Sequence, residues 1–528
     1  MRRATIFKII AVLSPVLVLL VLEALLRLFG YGHDLSLFVK DPTAPGYMVM
    51  NRDASRKYFS NEADATVGNQ ERFRVEKQPG AMRIFVLGES TTIGYPYMHN
   101  GSFSRMLKYR LMHAFPDRPL EVINLSLTAV NSYTVLDFAR QLAGWQPDAV
   151  LVYCGHNEYY GALGVGSTSH FSNNPLLIHT LMTLRTWRVV QLMTNMAGGI
   201  KKIFSRPSDT RQTLMRRMAA GQEIPYGSEM YAKGILQFQR NMNEVCHTLS
   251  EKNIPVFIST LVSNEKDLKP FISGKGEHSA SAQFLQAQAA YVEEDYPIAK
   301  LAFVNAKDLD LLRFRAPDTL NTLIYALARQ YTNVHVAEAR YLFEQRSPHR
   351  ILGNETLLEH VHPNLYGYAL LSEAFYQSLK QGDLVPGSWP ADMPFDEFVR
   401  VMPVTRVDSL KGAYEVAQLR TEWPFSRDSS RVIYPNAATT PHTFEEQLAM
   451  DILHGKLAWH QAMDTLLPYY IGQNRYEEAL KVAEAALLEY PEEPVFYNTA
   501  AQLSIQLGRK RQAATYMQKA FELRATQR

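Results

Sequence analysis

The stretch Arg83-Ile84-Phe85-Val86-Leu87-Gly88-Glu89-Ser90-Thr91-Thr92 decides which fold this sequence predicts. Its first five residues form a short, mainly apolar run that ends in glycine, which is typical of a buried β-strand. A serine placed directly after such a strand lies at the carboxyl end of the sheet, where open α/β sheets bind their ligands. Ser90 could equally cap the helix that follows, so its role depends on what else reaches the same edge.

Four further apolar runs have the character of strands, and helical patterns separate them along the chain. They cover residues 120–125, 149–154, 254–260 and 334–337. Strand–helix alternation predicts a parallel sheet with helices on both faces, in a domain over residues 81–383. Cys154 is expected to be a small buried side chain there, and two cysteines are too few for a disulfide framework.

The overall composition bounds the class of protein. A chain of 528 residues predicts two or three folded units. Hydrophobic residues make up 46% and charged residues 20%, which is typical of globular domains. The formal net charge of +3 gives no reason to expect a nucleic-acid partner.

The N-terminus has the character of a membrane anchor. Residues 9–22 carry no charge, and the apolar segment extends to residue 29 if Glu23 and Arg27 are tolerated, which gives about 20 residues, enough to span a bilayer. The basic residues Arg2, Arg3 and Lys8 precede this segment. They favour an N-terminus on the inside of the membrane and an exported body. A cleaved signal peptide is the alternative, but no small-x-small cleavage site follows the apolar core.

These features predict a single-pass anchor over residues 1–30. It contacts the membrane through residues 5–29 and leaves the remaining chain on the periplasmic or extracytoplasmic side. Residues 31–80 are polar and irregular, and we expect a stem packed on the domain edge. Residues 161–227 are basic and amphipathic, which favours a helical insertion packed on the domain. A lid, a membrane-surface contact and a partner-binding face are the alternatives for that insertion.

The C-terminal part is predicted to be helical. Residues 384–457 are rich in proline and lack clear periodicity, which indicates a linker. In residues 458–528, Ala479 and Ala486 recur 34 residues later as Ala513 and Ala520. This period resembles tetratricopeptide repeats, which need stacking partners, so we expect these helices to pack on the catalytic domain, to self-associate or to bind a protein partner. An ordinary helical hairpin is the alternative.

Two polar blocks are expected at the same sheet edge as Ser90. The block Gly155-His156-Asn157-Glu158 follows the third strand, and its asparagine amide can donate to a developing oxyanion or form an Asx turn. In the block Glu359-His360-Val361-His362, an acid three residues before a histidine can orient its imidazole. A salt bridge and a zinc site at His360 and His362 are the alternatives, although no third or fourth zinc ligand follows at the usual spacing.

Taken together, the three blocks resemble the SGNH (GDSL-type) hydrolase family over roughly residues 81–382. The resemblance implies a flavodoxin-like, three-layer α/β/α domain that hydrolyses or transfers ester-linked acyl groups without a metal or other cofactor. It implies that Ser90 is the nucleophile and, through its backbone N–H, an oxyanion donor. Asn157 would be the side-chain oxyanion donor, His362 the general base and Glu359 its orienting acid.

The sequence departs from the family pattern in several places. The orienting acid is Glu359 where the family usually has aspartate, and Thr92 excludes the Gly-x-Ser-x-Gly motif of α/β-hydrolases. Ala129 stands where a glycine N–H normally completes the oxyanion hole; a positive φ would cost alanine about 1–2 kcal/mol. Further residues at the carboxyl edge that we expect to contact substrate are Tyr159, Tyr160, Asn264 and Lys266. For the two tyrosines, the alternative is that they only cover the edge of the sheet.

Three functions fit these observations. The first is an exported, anchored esterase, deacetylase or acyltransferase acting on an envelope glycan or lipid. The second is a scaffold that uses its SGNH-like domain for binding and assembles a partner through the C-terminal repeats. The third is a phosphodiesterase or lipase reaction on the same three residues.

Overall fold

The computed structural model describes most of the chain. The described residues are 2–168, 170, 172, 174–204, 214–219, 222–385, 387, 389, 392–426 and 439–526. Within them, two β-sheets and a set of helices account for the regular structure. The strands are β1 Phe38–Lys40, β2 Tyr47–Met50, β3 Phe73–Arg74, β4 Met82–Gly88, β5 Leu120–Asn124, β6 Ala149–Tyr153, β7 Val256–Ser259 and β8 Val334–Ala337.

The helices surround the larger sheet and make up the C-terminal part. Those up to the end of the α/β region are α1 Arg2–Leu28, α2 Ser90–Ile93, α3 Met98–Gly101, α4 Phe103–Ala114, α5 Ser132–Leu142, α6 Pro175–Arg185, α7 Arg188–Phe204, α8 Leu214–Ala219, α9 Glu229–Ser250, α10 Ala280–Val292, α11 Tyr296–Asp308, α12 Asp318–Gln330, α13 Ala339–Gln345 and α14 Leu365–Gln381. Those that follow are α15 Phe395–Val401, α16 Arg406–Arg420, α17 Phe444–Leu453, α18 Trp459–Gly472, α19 Tyr476–Glu489, α20 Pro494–Gln506 and α21 Lys510–Thr526.

The main sheet has five parallel strands in the order β5-β4-β6-β7-β8. Numbered along the chain, this is the flavodoxin-like order 2-1-3-4-5, with β4 at the point where the order reverses. All seven residues of β4 are buried, as expected for a strand covered on both faces. Helix α4 packs with α14, and α5 packs with α9, which contacts α12; both groups contact the sheet. The predicted parallel α/β sheet is confirmed, strand by strand.

The register of the sheet brings the loops after β4, β5 and β6 together. Val86 of β4 pairs with Asn124, the last residue of β5, and Gly88 pairs with Tyr153, the last residue of β6. The chain therefore leaves all three strands at one edge. Ser90 and Asn157 follow β4 and β6 at this edge.

The predicted stem is better ordered than expected. Strands β1, β2 and β3 form a small antiparallel sheet within residues 31–80. Its aromatic side chains pack on the domain, with the rings of Phe38 and Phe73 centred 4.9 Å apart. Both rings also contact Phe85 of β4 and Trp145. Strands of two to four residues are too short to show a period in the sequence, which explains why this sheet was not predicted.

The stretch predicted as a linker, 384–457, instead contains the helices α15, α16 and α17. Helix α16 buries residues on more than one side, so its apolar positions form no single stripe. The predicted helical C-terminus is present as α18 to α21, and these helices pack on the α/β domain. There, Arg105 of α4 donates to Glu489 at 2.5 Å, and Tyr109 donates to Glu484 at 3.2 Å.

The N-terminal segment is helical over α1, and the insertion contains α6, α7 and α8. Among the residues that the structure describes, no helix combines the length and apolar character needed to cross a membrane. The transmembrane part of the anchor prediction is therefore not supported by the fold. Parts of the insertion, among them residues 205–213, lie outside the described residues.

Candidate active site

Ser90 lies at the first position of the short helix α2, directly after β4. Backbone N–H groups in the first turn of a helix have no helical carbonyl to bond to, so the N–H of Ser90 is available to a ligand. The side chain is half-buried, and its Oγ lies 2.8 Å from Nε2 of His362. This distance is a hydrogen bond between a hydroxyl and a base, the contact needed to activate a serine.

His362 is held by a tight turn between Thr356 and Asn364. A β-bridge between Leu357 and Pro363 closes the turn, and Asn364 caps helix α14 behind it. Nδ1 of His362 lies 2.5 Å from Oε1 of Glu359. The backbone N–H of His362 donates to the same oxygen at 2.8 Å. Glu359 therefore fixes both the backbone and the ring of the histidine, and the imidazole turns its other nitrogen to Ser90.

Burial sets the charge of this pair. Glu359 is 1% exposed and His362 is 6% exposed. Burial lowers the pKa of His362 to about 3, so the imidazole is neutral near pH 7 and can accept the proton of Ser90. The Glu359 carboxylate then stabilises the imidazolium that forms. The second oxygen of Glu359 contacts Nδ1 of His360 and accepts the backbone N–H of His360 at 2.8 Å.

Glu89, directly before the serine, was not singled out in the sequence and proves to be structural. Its carboxylate points into the loop after β6 and accepts the N–H groups of Gly155, His156 and Asn157, each at 3.1 Å. Burial raises the pKa of Glu89 to about 7, although these three donors favour the ionised form. Glu89 thus links the segment that carries Ser90 to the loop that carries Asn157. An acidic residue directly after a mainly apolar strand was the signal available in the sequence.

The two other predicted oxyanion donors lie on neighbouring loops. Asn157 is half-buried at the end of β6 and is held by Glu89 through its backbone. Ala129 is in the loop after β5 and has φ of +56°, the left-handed conformation that alanine disfavours. A residue kept in a disfavoured conformation needs support from its surroundings. The carbonyl of Ala129 accepts the N–H of Ala162 at 2.8 Å, which ties the β5 loop to the β6 loop.

Gly161 occupies the contact between these two loops. Its N–H donates to the carbonyl of Asn157 at 2.6 Å. A Cβ at this position would lie 2.7 Å from the Asn157 carbonyl oxygen and 2.8 Å from that of Val130. Because both are backbone atoms, a side chain would push the two loops apart. Gly161 therefore sets the spacing between Ala129 and Asn157, a role that the sequence did not reveal.

The structure places the four weaker candidates for substrate contact in packed surroundings. Tyr159 is fully buried and its hydroxyl donates to the carbonyl of Tyr231 at 3.1 Å. Tyr160 is 2% exposed and donates to the carbonyl of Gln222 at 2.6 Å. The side chain of Asn264 bonds to Asn354, and that of Lys266 bonds to Glu355. All four belong to the packing around the site rather than to an open surface.

The zinc alternative can be judged from the same contacts. Glu359, His360 and His362 each offer one ligand atom, all within 4.8 Å of one another. A carboxylate and two imidazoles suit zinc, but a structural site has four ligands. Both ring nitrogens of His362 are already engaged, one with Ser90 and one with Glu359. A metal would have to displace one of these contacts, so the arrangement favours proton transfer.

Comparison with known proteins adds little detail. No protein-family model matches the chain, and no curated protein sequence matches it significantly. Among solved structures it is similar to TesA, with 13% identity, 57% of this chain and 99% of that chain covered, and a TM-score of 0.28.

It is also similar to a lipolytic protein of the G-D-S-L family from Desulfitobacterium hafniense, with 12% identity, 56% and 99% coverage and a TM-score of 0.28. A further similar structure is the acetylxylan esterase Axe2 from Geobacillus stearothermophilus, with 10% identity, 59% and 97% coverage and a TM-score of 0.30.

Proposed function

We propose that this protein is a serine ester hydrolase or acyltransferase with Ser90 as nucleophile, His362 as general base and Glu359 as orienting acid. One observation carries the proposal: Oγ of Ser90, both ring nitrogens of His362 and a carboxylate oxygen of Glu359 form a continuous line of contacts of 2.8 and 2.5 Å. This is the arrangement of a nucleophile, a base and an orienting acid in acyl-transfer enzymes. The three residues come from two distant parts of the chain.

The chemistry follows from this line of contacts. Nε2 of His362 accepts the Ser90 proton as Oγ forms a bond to the ester carbonyl carbon, and Glu359 stabilises the imidazolium. The carbonyl oxygen gains negative charge, and the backbone N–H of Ser90 with donors from Ala129 and Asn157 stabilises it. His362 then gives its proton to the departing alcohol as the acyl–oxygen bond breaks. Water or another hydroxyl removes the acyl group from Ser90 by the reverse steps.

The substrate class and location form the second part of the proposal. An ester on an envelope glycan or lipid fits a protein attached to a membrane through residues 5–29, with its α/β domain on the extracytoplasmic side. The exposed apolar side chains along α1, which include Leu17, Val18 and Leu28, support this attachment. Fractionation of the native cells tests it, because the proposal predicts recovery with membranes and cleavage by external protease once the outer barrier is opened. Recovery in the soluble fraction would contradict it.

The reaction class is tested with small esters. We expect the protein to hydrolyse p-nitrophenyl acetate and the Ser90→Ala variant to lose at least about 10³-fold in kcat. Ser281→Ala, which changes an exposed serine of α10, is the matched control and should keep full activity. A phosphate diester offered in parallel separates the phosphodiesterase alternative. Equal rates for Ser90→Ala and the unchanged protein would refute the proposal.

A scaffold function is the second candidate, and one observation favours it. The last two helices expose several large apolar side chains to solvent, namely Val495, Ile505, Met517 and Phe521. Exposed apolar side chains of this kind are found at protein contacts. For a pure scaffold, Ser90→Ala would behave as wild type in cells, whereas Met517→Ser with Phe521→Ser would abolish function. The opposite pattern supports the enzyme.

A further inference from the structure

The helices α6 and α7 form a hairpin whose outer surface is apolar. Large apolar side chains of this hairpin are between 36% and 72% exposed, and they are Leu176, Leu177, Leu184, Trp187, Met193 and Met196. None of them takes part in the proposed chemistry. Exposed apolar side chains clustered on two adjacent helices indicate a surface that meets another apolar phase.

This hairpin is attached to the base of α1. The carboxylate of Glu23 in α1 accepts the N–H of Val189 at 2.9 Å, at the start of α7. One turn further on, Gln191 accepts the N–H of His33 at 2.8 Å, and Asn195 donates to the Tyr31 hydroxyl at 3.1 Å. Helix α7 therefore packs beside α1, and both the hairpin and α1 carry exposed apolar side chains.

The same turn of the hairpin is also attached to the segment of residues 31–80 that packs on the α/β domain. Arg185, the last residue of α6, donates to the carbonyls of Lys57 and Phe59 at 2.9 and 3.1 Å. The turn of the hairpin is thus fixed both to α1 and to the body of the protein. Whatever the hairpin binds also fixes the position of the catalytic domain.

The charge of the hairpin identifies what it binds. Residues 175–204 contain no aspartate or glutamate, and their basic residues are Arg185, Arg188, Lys201 and Lys202. Exposed leucine, methionine and tryptophan side chains, in a segment whose only charges are positive, match the composition of helices that lie in the headgroup layer of a membrane. Anionic lipid headgroups attract such basic residues. A protein partner would need no such uniform charge.

We propose that the α6–α7 hairpin lies in the surface of the same membrane to which α1 attaches, with its apolar side chains about 5–10 Å below the headgroups. This inference rests on the proposed membrane attachment and adds a second contact to it. The hairpin holds the catalytic domain close to the bilayer instead of leaving it on a free stem. A substrate carried by a lipid or by a glycan near the membrane surface is then within reach of Ser90.

Single-cysteine labelling tests this contact in the full chain. The native cysteines, Cys154 and Cys246, are buried, so an environment-sensitive fluorophore can be placed at Leu177→Cys or Met193→Cys. Val292→Cys and Leu301→Cys are matched controls, since they replace exposed apolar residues of α10 and α11, a helix pair joined by the acidic residues 293–295, which anionic lipid repels. Each labelled protein is reconstituted into vesicles of phosphatidylcholine with phosphatidylglycerol. Quenching by a lipid carrying a shallow nitroxide is compared with quenching by aqueous iodide.

The expected result is several-fold stronger nitroxide quenching at positions 177 and 193 than at 292 and 301, with weaker iodide quenching. Labels at 177 and 193 that iodide quenches as strongly as the controls would overturn the proposal. Labels shielded from both quenchers would also overturn it and would indicate a protein partner on this surface. If the protein does not bind the vesicles at all, the proposed membrane attachment itself is refuted. This outcome differs from bound protein whose labels at 177 and 193 are quenched by iodide, which refutes only the contact of the hairpin.

Discussion

Two buried glutamates lie beside Ser90 and have different tasks. Glu89 precedes the serine in the chain, yet its carboxylate turns away from it to accept three backbone N–H groups of the loop after β6. Glu359 is far away in the chain, yet it contacts the imidazole that bonds to Ser90. The role of each glutamate therefore follows from the groups that its carboxylate contacts, and not from how near it lies to Ser90 in the sequence.

The donors also explain the different chemistry of the two groups. In the proposed reaction, Glu359 faces an imidazole that becomes positively charged, so its charge acts chiefly there, in addition to the two backbone N–H groups that its oxygens accept. Glu89 faces neutral backbone donors, and burial raises its pKa to about 7. We therefore expect changes at Glu359 to affect mainly kcat and changes at Glu89 to affect mainly stability.

The largest expected effect is that of Glu359→Gln. An amide cannot stabilise the imidazolium and favours the wrong tautomer of His362, so kcat should fall about 10⁴-fold. Steady-state kinetics on an activated ester measures this loss, and thermal unfolding shows whether the fold is kept. A loss of less than tenfold in a folded variant would mean that Glu359 does not orient the base.

The next largest effect is that of Gly161→Ala, which changes neither glutamate. The added Cβ would lie 2.7 Å from the Asn157 carbonyl oxygen and push the β5 and β6 loops apart. Misplacing the oxyanion donors by about 1 Å should lower kcat about 10²-fold. Gly144→Ala is the control, because a Cβ there meets no atom within 4 Å. Unchanged kcat in Gly161→Ala would show that the spacing of these loops does not matter.

Glu89→Gln tests the structural role of Glu89, because we expect it to change the free energy of unfolding and the pH dependence of that free energy. Its amide group would face backbone donors, so we expect a loss of about 1–3 kcal/mol in the free energy of unfolding. Because the pKa of Glu89 is raised to about 7 in the folded protein, this group stabilises the fold below about pH 4.5 and loses that contribution as pH rises towards 7.

Urea unfolding between pH 4 and 8 measures this dependence, which should be weaker in Glu89→Gln than in the unchanged protein. Glu484→Gln is a useful comparison, since burial also raises the pKa of Glu484 to about 7 in the interface between α4 and the C-terminal helices. Identical pH dependence in Glu89→Gln and the unchanged protein would contradict the assigned pKa.

The smallest expected effect is that of Ala129→Gly. Ala129 has φ of +56°, and glycine removes the strain of about 1–2 kcal/mol but loses more backbone entropy on folding. We expect a net gain of up to about 1 kcal/mol in the free energy of unfolding, with kcat unchanged within about threefold because the donor N–H is kept. A clear loss of stability would mean that the methyl group of Ala129 is needed for packing.

The sequence was sufficient for the parts of the molecule that long, regular patterns specify. The apolar runs predicted all five strands of the main sheet, and the order of the polar blocks brought Ser90 and Asn157 to one edge. The acid-x-x-His spacing predicted the contact between Glu359 and His362. These features depend on period and chain order, which can be read along the chain.

Other features depend on contacts between distant residues and were not predicted. The sheet of β1 to β3 is too short to show a period, and α16 has no single apolar face. Glu89 could be seen as an acid near a strand, but its three donors come from a loop more than sixty residues away. Tyr159 and Tyr160 were expected to contact substrate, but they are buried and bond to Tyr231 and Gln222, which come later in the chain.

The most direct test of the central claim is covalent labelling of the full protein with a fluorophosphonate, followed by peptide mass spectrometry. If His362 and Glu359 activate Ser90, the adduct forms on Ser90, and labelling is lost in Ser90→Ala and strongly slowed in His362→Ala. Ser281→Ala should label as the unchanged protein does. Absence of labelling in the folded protein, or an adduct on another residue, would contradict the account.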